Sequence, residues 1–143
     1  ELTRRGYIVT FTSPNTKSID LIVINEDGSK IKNIQVKATG ENISKWKMDE
    51  DDEQIKNTNL WYVFVKLDKQ EQYKPVSYHI LSSRTVVKKI KQRAKYDKAQ
   101  FIERNKKLPK NKKKRRSSTT IANRWFYDEE NKFVDRWDRL NLD

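Results

Sequence analysis

The sequence predicts an α/β or α+β domain with a mixed central β-sheet flanked by helices, and three observations support this class. Short runs of β-branched and aromatic residues recur over residues 7–81, with turn signals between them. One run, residues 60–67, is apolar almost throughout, which is typical of a central strand covered on both faces. Helical signals stand before the first run and after the last. This order indicates layers around a sheet, and neither a helical bundle nor a sandwich.

The chain opens with the signals of a helix end followed by a strand. Residues 1–5 and Gly6 have the form of a last helical turn closed by a C-cap glycine. One turn is not stable alone because helix nucleation is costly, so we expect the natural protein to carry more of this helix before residue 1. Residues 7–11 are rich in β-branched and aromatic side chains and predict the first strand.

A β-hairpin is predicted next. Residues 19–24 form an apolar run with one interruption, and residues 31–37 return as a second strand after an Asp-Gly turn. Residues 40–52 are polar, and no regular element is assigned to them. The acidic run within residues 49–57 favours the start of a short helix, because negative charge suits a helix N-terminus.

The sheet is completed by two further strands and closed by a helix. Residues 60–67 give the strongest strand pattern in the chain, and residues 76–81 give another. Ser82 or Ser83 can then cap a helix over residues 84–92.

Three regions follow from this assignment. Residues 1–93 are predicted to form the α/β core, with its first helix truncated. Residues 94–120 carry many cations and little periodicity, and they predict a basic loop. Residues 121–143 hold spaced aromatic side chains, which predicts a segment that packs on the core, with a short helix near residues 133–140.

Composition favours an anionic partner. The chain of 143 residues has a formal net charge of +12 and a pI near 9.8, which favours binding to polyanions such as DNA. It contains no cysteine, which excludes disulfides and thiolate metal sites. No stretch approaches the ~20 apolar residues that span a bilayer, so no membrane association is expected. A cytoplasmic location is the default expectation.

The predicted hairpin brings together residues suited to phosphodiester chemistry. Asp20 lies at the entrance of one strand, and Gln35 and Lys37 lie on one face of its partner. Mg²⁺ takes oxygen ligands, which Asp20, Gln35 and the backbone carbonyl of Val36 can supply. The Lys37 ammonium can hold a phosphate or lower the pKa of metal-bound water. Together these residues predict a Mg²⁺ or Mn²⁺ site, although each alone is equally compatible with an ordinary structural role.

The same residues resemble a known family. Residues 18–21 (Ser-Ile-Asp-Leu) and 34–37 (Ile-Gln-Val-Lys), on a strand–turn–strand, resemble the motif of the PD-(D/E)XK nuclease superfamily, which includes restriction endonucleases and Holliday-junction resolvases. Residues 2–7 resemble the end of that fold's first helix as it enters the first strand. The resemblance implies a restriction-endonuclease-like fold and a metal-dependent DNA endonuclease.

In that family context, Asp20 and Gln35 would ligate the metal and Lys37 would position or activate water. Products would carry a 5′-phosphate and a 3′-hydroxyl, in restriction, defence against mobile DNA or junction processing. Gln35 stands where the family normally has Asp or Glu. The family's further acid would lie before residue 1. The alternative is therefore a nuclease fold without catalysis that binds DNA or a partner protein, and a homodimer also stays open.

A cation-rich segment is the second candidate binding region. On one interpretation it lies along a DNA backbone, and on the other it is a solvated charge run. A basic RNA- or ribosome-binding domain unrelated to nucleases is a third hypothesis based on the same segment. The nucleic-acid-binding residues predicted here are Lys106, Lys107, Lys110, Lys112, Lys113, Lys114, Arg115 and Arg116.

Three other features carry weaker expectations. The acidic run at residues 49–53 is expected to be a solvated cap and not a second metal site. His79, the only histidine, has no visible partner in the sequence. Trp46 lies in the polar segment after Lys37 and is the tryptophan to test for base stacking.

Overall fold

A five-stranded mixed sheet forms the centre of the molecule. The computed structural model describes residues 1–13, 16, 18–40, 43–49, 51–54, 57–67, 75–107 and 124–143. The sheet consists of β1 (Ile8–Phe11), β2 (Leu21–Ile24), β3 (Ile31–Thr39), β5 (Leu60–Lys66) and β6 (Ser77–Ser82), in the order β1-β2-β3-β5-β6. Strands β3 and β5 are parallel, and the other neighbouring pairs are antiparallel. The α+β class with a mixed sheet is confirmed.

Two glycines close the turns on either side of β1 and β2. Gly6 has a φ of 87° and ends a 3₁₀ turn at Thr3–Arg5, so the predicted C-cap is present. Gly28 has a φ of 75° in the turn between β2 and β3, a conformation that suits glycine. The Asp27 carboxylate accepts the Ser29 N–H at 2.9 Å in the same turn. The hairpin is therefore set by local chemistry, as predicted.

One face of the sheet is covered by a helix and a small second sheet. Helix α1 (Ser83–Lys106) packs there beside the antiparallel pair of β4 (Lys45–Met48) and β7 (Arg124–Tyr127). An aromatic cluster fills the space between the layers, with the Phe64 and Phe126 rings stacked at 4.3 Å. Such a cluster supplies most of the stabilisation of this layer because it removes large apolar areas from water.

The opposite face is covered by the two ends of the chain. This face of the sheet packs against a 3₁₀ turn at Trp137–Leu140 and against the buried Leu142 and Leu2. The Tyr7 hydroxyl donates to the Asp143 carboxylate at 2.8 Å and ties the two termini together. Among the aromatic side chains of the C-terminal segment, Phe126, Phe133 and Trp137 are buried against the central sheet.

The structure corrects several predicted elements. Helix α1 continues to Lys106, so residues 94–106 are helical and do not belong to a basic loop. Strand β4 lies within residues 40–52, for which the sequence predicts no regular element. The acidic run forms a 3₁₀ turn at Asp51–Glu53, where the sequence predicts the start of a helix. In the described part of the chain α1 is the one α-helix, so the sheet is flanked by a helix on one face only. No helix of that part could cross a bilayer.

Candidate active site

Asp20 lies at the entrance to β2 and is fixed on the neighbouring strand β3. Its backbone N–H donates to the Ile34 carbonyl at 2.8 Å, and its Oδ2 accepts the Val36 N–H at 2.7 Å. The residue as a whole is exposed, so a ligand can reach its carboxylate from solvent. The hairpin thus holds Asp20 against the backbone between Gln35 and Lys37.

Gln35 and Lys37 share the face of the sheet that α1 covers. They pair in parallel register with Tyr62 and Phe64, both of which belong to the aromatic core on that face. Continuing the β2–β3 register by one residue sets Asp20 opposite Gln35. The Gln35 Oε1 atom is buried and has no hydrogen-bond partner among the described residues. Such an unpaired buried oxygen is uncommon in folded proteins and calls for an explanation, such as an ion or a water.

Oxygen donors belong to neighbouring residues at this point of the hairpin. The N–H and C=O of one strand residue point to the same side, so the Val36 carbonyl faces the same edge as the N–H that holds Asp20. The Asp20 carboxylate, the unpaired Gln35 oxygen and this carbonyl are hard donors of the kind that Mg²⁺ accepts. Within the described ranges no three His, Cys, Asp or Glu side chains group to hold a metal, and Asp20 is the one carboxylate among the three donors named here.

Lys37 is held by two carboxylates that follow β4. Its Nζ donates to Asp49 Oδ2 at 2.9 Å and lies 3.3 Å from Asp52 Oδ2. Burial lowers the pKa of Lys37, but the hydrogen bond that Lys37 donates to Asp49 and the charge of Asp52 outweigh it and raise the pKa above its ordinary value. Lys37 is therefore a permanent cation at neutral pH and cannot act as a general base.

Asp52 is a buried anchor behind Lys37. It is 2% exposed, its Oδ1 accepts the Tyr62 hydroxyl at 2.7 Å, and its Oδ2 accepts the Asp49 N–H at 2.7 Å. Burial, the hydrogen bond to Asp52 and the nearby carboxylate charges raise the pKa of Tyr62, so the hydroxyl stays a donor. The expectation that the acidic run is only a solvated cap is wrong for Asp52. No signal in the sequence joins Tyr62 to this carboxylate.

The predicted cationic segment is described only at its start. Lys106 ends α1 and pairs with Glu103 at 2.9 Å, and Lys107 is exposed directly after it. Both lie on or beside the helix and not in a loop. The other six predicted binding residues lie outside the described residues, namely Lys110, Lys112, Lys113, Lys114, Arg115 and Arg116.

Trp46 and His79 have structural roles that the sequence did not predict. Trp46 is 1% exposed and donates its Nε1–H to the Val65 carbonyl at 3.0 Å, so it cannot stack on a base without unfolding β4. His79 has a buried partner, since its Nδ1 lies 2.7 Å from Asp128 Oδ2. Its full burial leaves no path for a substrate to reach the ring.

A groove of about 600 Å³ lies away from the hairpin site, between α1 and the segment around β7. Arg93 lies over the Tyr127 ring at 4.2 Å in its wall, and Trp125 also lines it. Asp20, Gln35 and Lys37 do not line this groove. This groove is therefore separate from the hairpin residues.

Comparison of the chain with protein-family models, with curated proteins and with solved structures gives no match. A functional assignment therefore depends on the residues and geometry described above.

Proposed function

We propose that the chain is a metal-dependent DNA endonuclease-like domain with a restriction-endonuclease-like fold of PD-(D/E)XK type. The observation that carries this proposal is the arrangement around Val36. Its N–H binds the exposed Asp20 carboxylate, while the neighbours on either side contribute an unpaired buried oxygen, at Gln35, and a permanent cation, at Lys37. A negative ligand, a neutral oxygen and a cation on one hairpin are the groups that metal-assisted phosphodiester hydrolysis requires.

The site residues divide the chemistry between them. Asp20, Gln35 and the Val36 carbonyl would hold Mg²⁺ or Mn²⁺, which when bound supplies Lewis-acid charge and lowers the pKa of coordinated water. Lys37 donates to a non-bridging phosphate oxygen and stabilises the charge that develops there. Water attacks phosphorus and loses a proton to solvent, the P–O3′ bond breaks, and the leaving 3′ oxygen takes a proton from solvent, so the products carry a 5′-phosphate and a 3′-hydroxyl.

Access of phosphate to Lys37 depends on Asp49. The Asp49 side chain is 70% exposed, whereas that of Asp52 is 3% exposed, so Asp49 keeps most of its contact with water and Asp52 is desolvated. An exposed ion pair contributes little free energy, about 0–1 kcal/mol. A DNA phosphate can therefore replace Asp49 at the ammonium, while Asp52 keeps Lys37 in place.

The test is nicking of supercoiled plasmid in Mg²⁺ or Mn²⁺ by the wild-type chain and by Asp20→Ala and Lys37→Ala. Each substitution should lower the rate by about a hundredfold or more, as loss of one charge-stabilising group does elsewhere. Lys32→Ala is the matched control, because Lys32 lies on the same strand and pairs with Val23 of the opposite core. Metal-dependent nicking that survives both site substitutions would disprove the site.

A nuclease fold that only binds DNA or a partner protein is the second candidate. One observation favours it, namely that Lys37 is already paired with two carboxylates, Asp49 and Asp52, whereas Asp20 is the one carboxylate among the proposed metal donors. On this hypothesis the wild-type chain binds DNA in a salt-dependent way and does not nick it at any Mg²⁺ or Mn²⁺ concentration.

A further inference from the structure

The exposed face of α1 carries a continuous line of cations. Five basic side chains are spaced alternately by four and three residues, the spacing that keeps side chains on one face of an α-helix. All five are exposed, and together they define the α1 stripe. The stripe consists of Arg84, Lys88, Lys91, Lys95 and Lys98.

The stripe is not neutralised by the rest of the described chain. None of its five members makes an ion pair with a described residue, whereas Arg93 on the inner side of α1 pairs with Asp97 at 3.0 Å. Asp97 is the one acidic residue of the helix before residue 103. Like charges at such spacing repel one another by a few tenths of a kcal/mol per pair, so the stripe weakens the isolated helix.

Burial of the other side of α1 fixes the stripe in space. Val86 and Ile90 are buried in the aromatic core, which turns the cations outward and holds them on a rigid scaffold. From the first member to the last the stripe covers 14 residue steps, about 21 Å at 1.5 Å per residue. A DNA strand carries one phosphate per ~3.4 Å of axial rise and winds round the duplex axis, so a straight line of this length faces several phosphates of the backbone.

We infer that the α1 stripe binds the phosphate backbone of duplex DNA, independently of base sequence. The inference rests on the proposed function only in its choice of DNA as the polyanion. Charge complementarity over a rigid 21 Å line is the argument for this partner. An anionic membrane suits the stripe less well, because an interfacial helix needs an apolar face to insert. The buried residues of α1 are already used by the core, and its exposed large apolar side chains are only Tyr96 and Ile102.

The experiment compares two charge-matched triple variants of the full chain by their affinity for a random-sequence DNA duplex at 50 and 200 mM salt. The first is Lys91→Gln/Lys95→Gln/Lys98→Gln, which removes three stripe cations while keeping good helix formers. The control removes three exposed or half-exposed cations outside α1, and it is Arg4→Gln/Lys32→Gln/Arg136→Gln. Circular dichroism establishes that both variants are folded.

The stripe predicts that only the first variant loses salt sensitivity. Each phosphate contact adds about 0.9 to the logarithmic salt slope, so losing three contacts should lower the ratio of affinities at 50 and 200 mM salt by about 40-fold. The control should keep the wild-type ratio. Equal losses in both variants would overturn the proposal, and so would binding to anionic vesicles in place of DNA.

The same variants separate this inference from the nuclease proposal. If the wild-type chain binds DNA through the stripe but never nicks it, the endonuclease proposal is wrong and the stripe inference stands. If the chain nicks DNA in a Lys37-dependent way and the stripe variant binds DNA like the control, the stripe inference is wrong and the endonuclease proposal stands.

Discussion

Asp52 offers the sharpest test of how the hairpin site is supported, through its substitution by alanine. This buried carboxylate accepts the Tyr62 hydroxyl and the Asp49 N–H and lies against the Lys37 ammonium. Removing it leaves the buried Tyr62 hydroxyl without its acceptor, which costs about 1–3 kcal/mol. Lys37 then keeps only the exposed Asp49. Adding the loss of a buried charge partner, we expect unfolding free energy to fall by about 3–5 kcal/mol.

A double-mutant cycle with Tyr62→Phe isolates the shared hydrogen bond. Tyr62→Phe alone should cost about 1–2 kcal/mol, because Asp52 keeps Lys37 and the Asp49 N–H as partners. The double variant should be more stable than the sum of the single effects by about 1–2 kcal/mol, since the two residues are in contact. Additivity within error would show that the hydrogen bond contributes nothing.

Urea unfolding followed by circular dichroism gives these free energies. The matched control is Asp51→Ala, because Asp51 belongs to the same 3₁₀ turn and is exposed. Its effect should stay within about 0.5 kcal/mol. A loss below about 1 kcal/mol for Asp52→Ala would show that Asp52 does not anchor this network.

Four further predictions follow from the site and the core. Gln35→Glu adds a second carboxylate ligand and should lower the Mg²⁺ concentration for half-maximal nicking by about tenfold, measured by metal titration. A higher Mg²⁺ concentration for half-maximal nicking would contradict the ligand role of residue 35. Asp128→Ala removes the acceptor of His79 and of the Lys132 and Phe133 N–H groups, and it should lower the free energy of unfolding in urea by about 3–5 kcal/mol. The control Glu129→Ala, at an exposed position, should lower it by about 0.5 kcal/mol. Similar losses in both variants would contradict the structural role of Asp128. Burial alone would raise the pKa of Asp128, but those hydrogen bonds lower it below its ordinary value, so Asp128 stabilises the fold above about pH 4 and its contribution is lost as the pH falls through the folded-state pKa. The stability difference between wild type and Asp128→Asn should therefore shrink in acid unfolding below about pH 4, and a difference that grows there would have the wrong sign. Trp46→Ala should lower the free energy of unfolding by about 3–5 kcal/mol and leave the DNA affinity of the folded variant at fixed salt unchanged, whereas a loss of that affinity would restore base stacking as its role.

The hairpin and its residues could be predicted because their signals are local. An Asp-Gly turn sets the register, and strict alternation then puts Gln35 and Lys37 on one face. Asp20 follows from the same register. The surroundings of Lys37 could not be predicted in this way, because Asp49 and Asp52 reach it through packing of a different sheet against β3.

Two elements were missed although their local chemistry was present. Strand β4 alternates lysines with Trp46 and Met48, a period of two that was obscured by the polar segment around it. The second half of α1 has few buried side chains, so hydrophobic periodicity ends near Ile90. Its Lys, Arg, Gln and Ala content favours a helix by propensity alone, and the next proline is Pro109. Helix propensity therefore predicts the second half of α1 better than hydrophobic periodicity does.

The His79–Asp128 pair shows the limit of pattern-based prediction. Its members are 49 positions apart in sequence, and only the packing of the C-terminal segment against β6 brings them together. A lone histidine in an apolar strand gave no indication of its partner, and the structure makes it part of the core.

Plasmid nicking by the wild-type chain with and without Mg²⁺, at a DNA concentration that saturates binding, decides whether the hairpin residues form a nuclease site. The proposed site predicts nicked circles with 5′-phosphate ends that form with Mg²⁺ or Mn²⁺ and are absent when the metal is chelated. Full DNA binding with no nicked product at any concentration of either metal would contradict the endonuclease and identify the chain as a binding module.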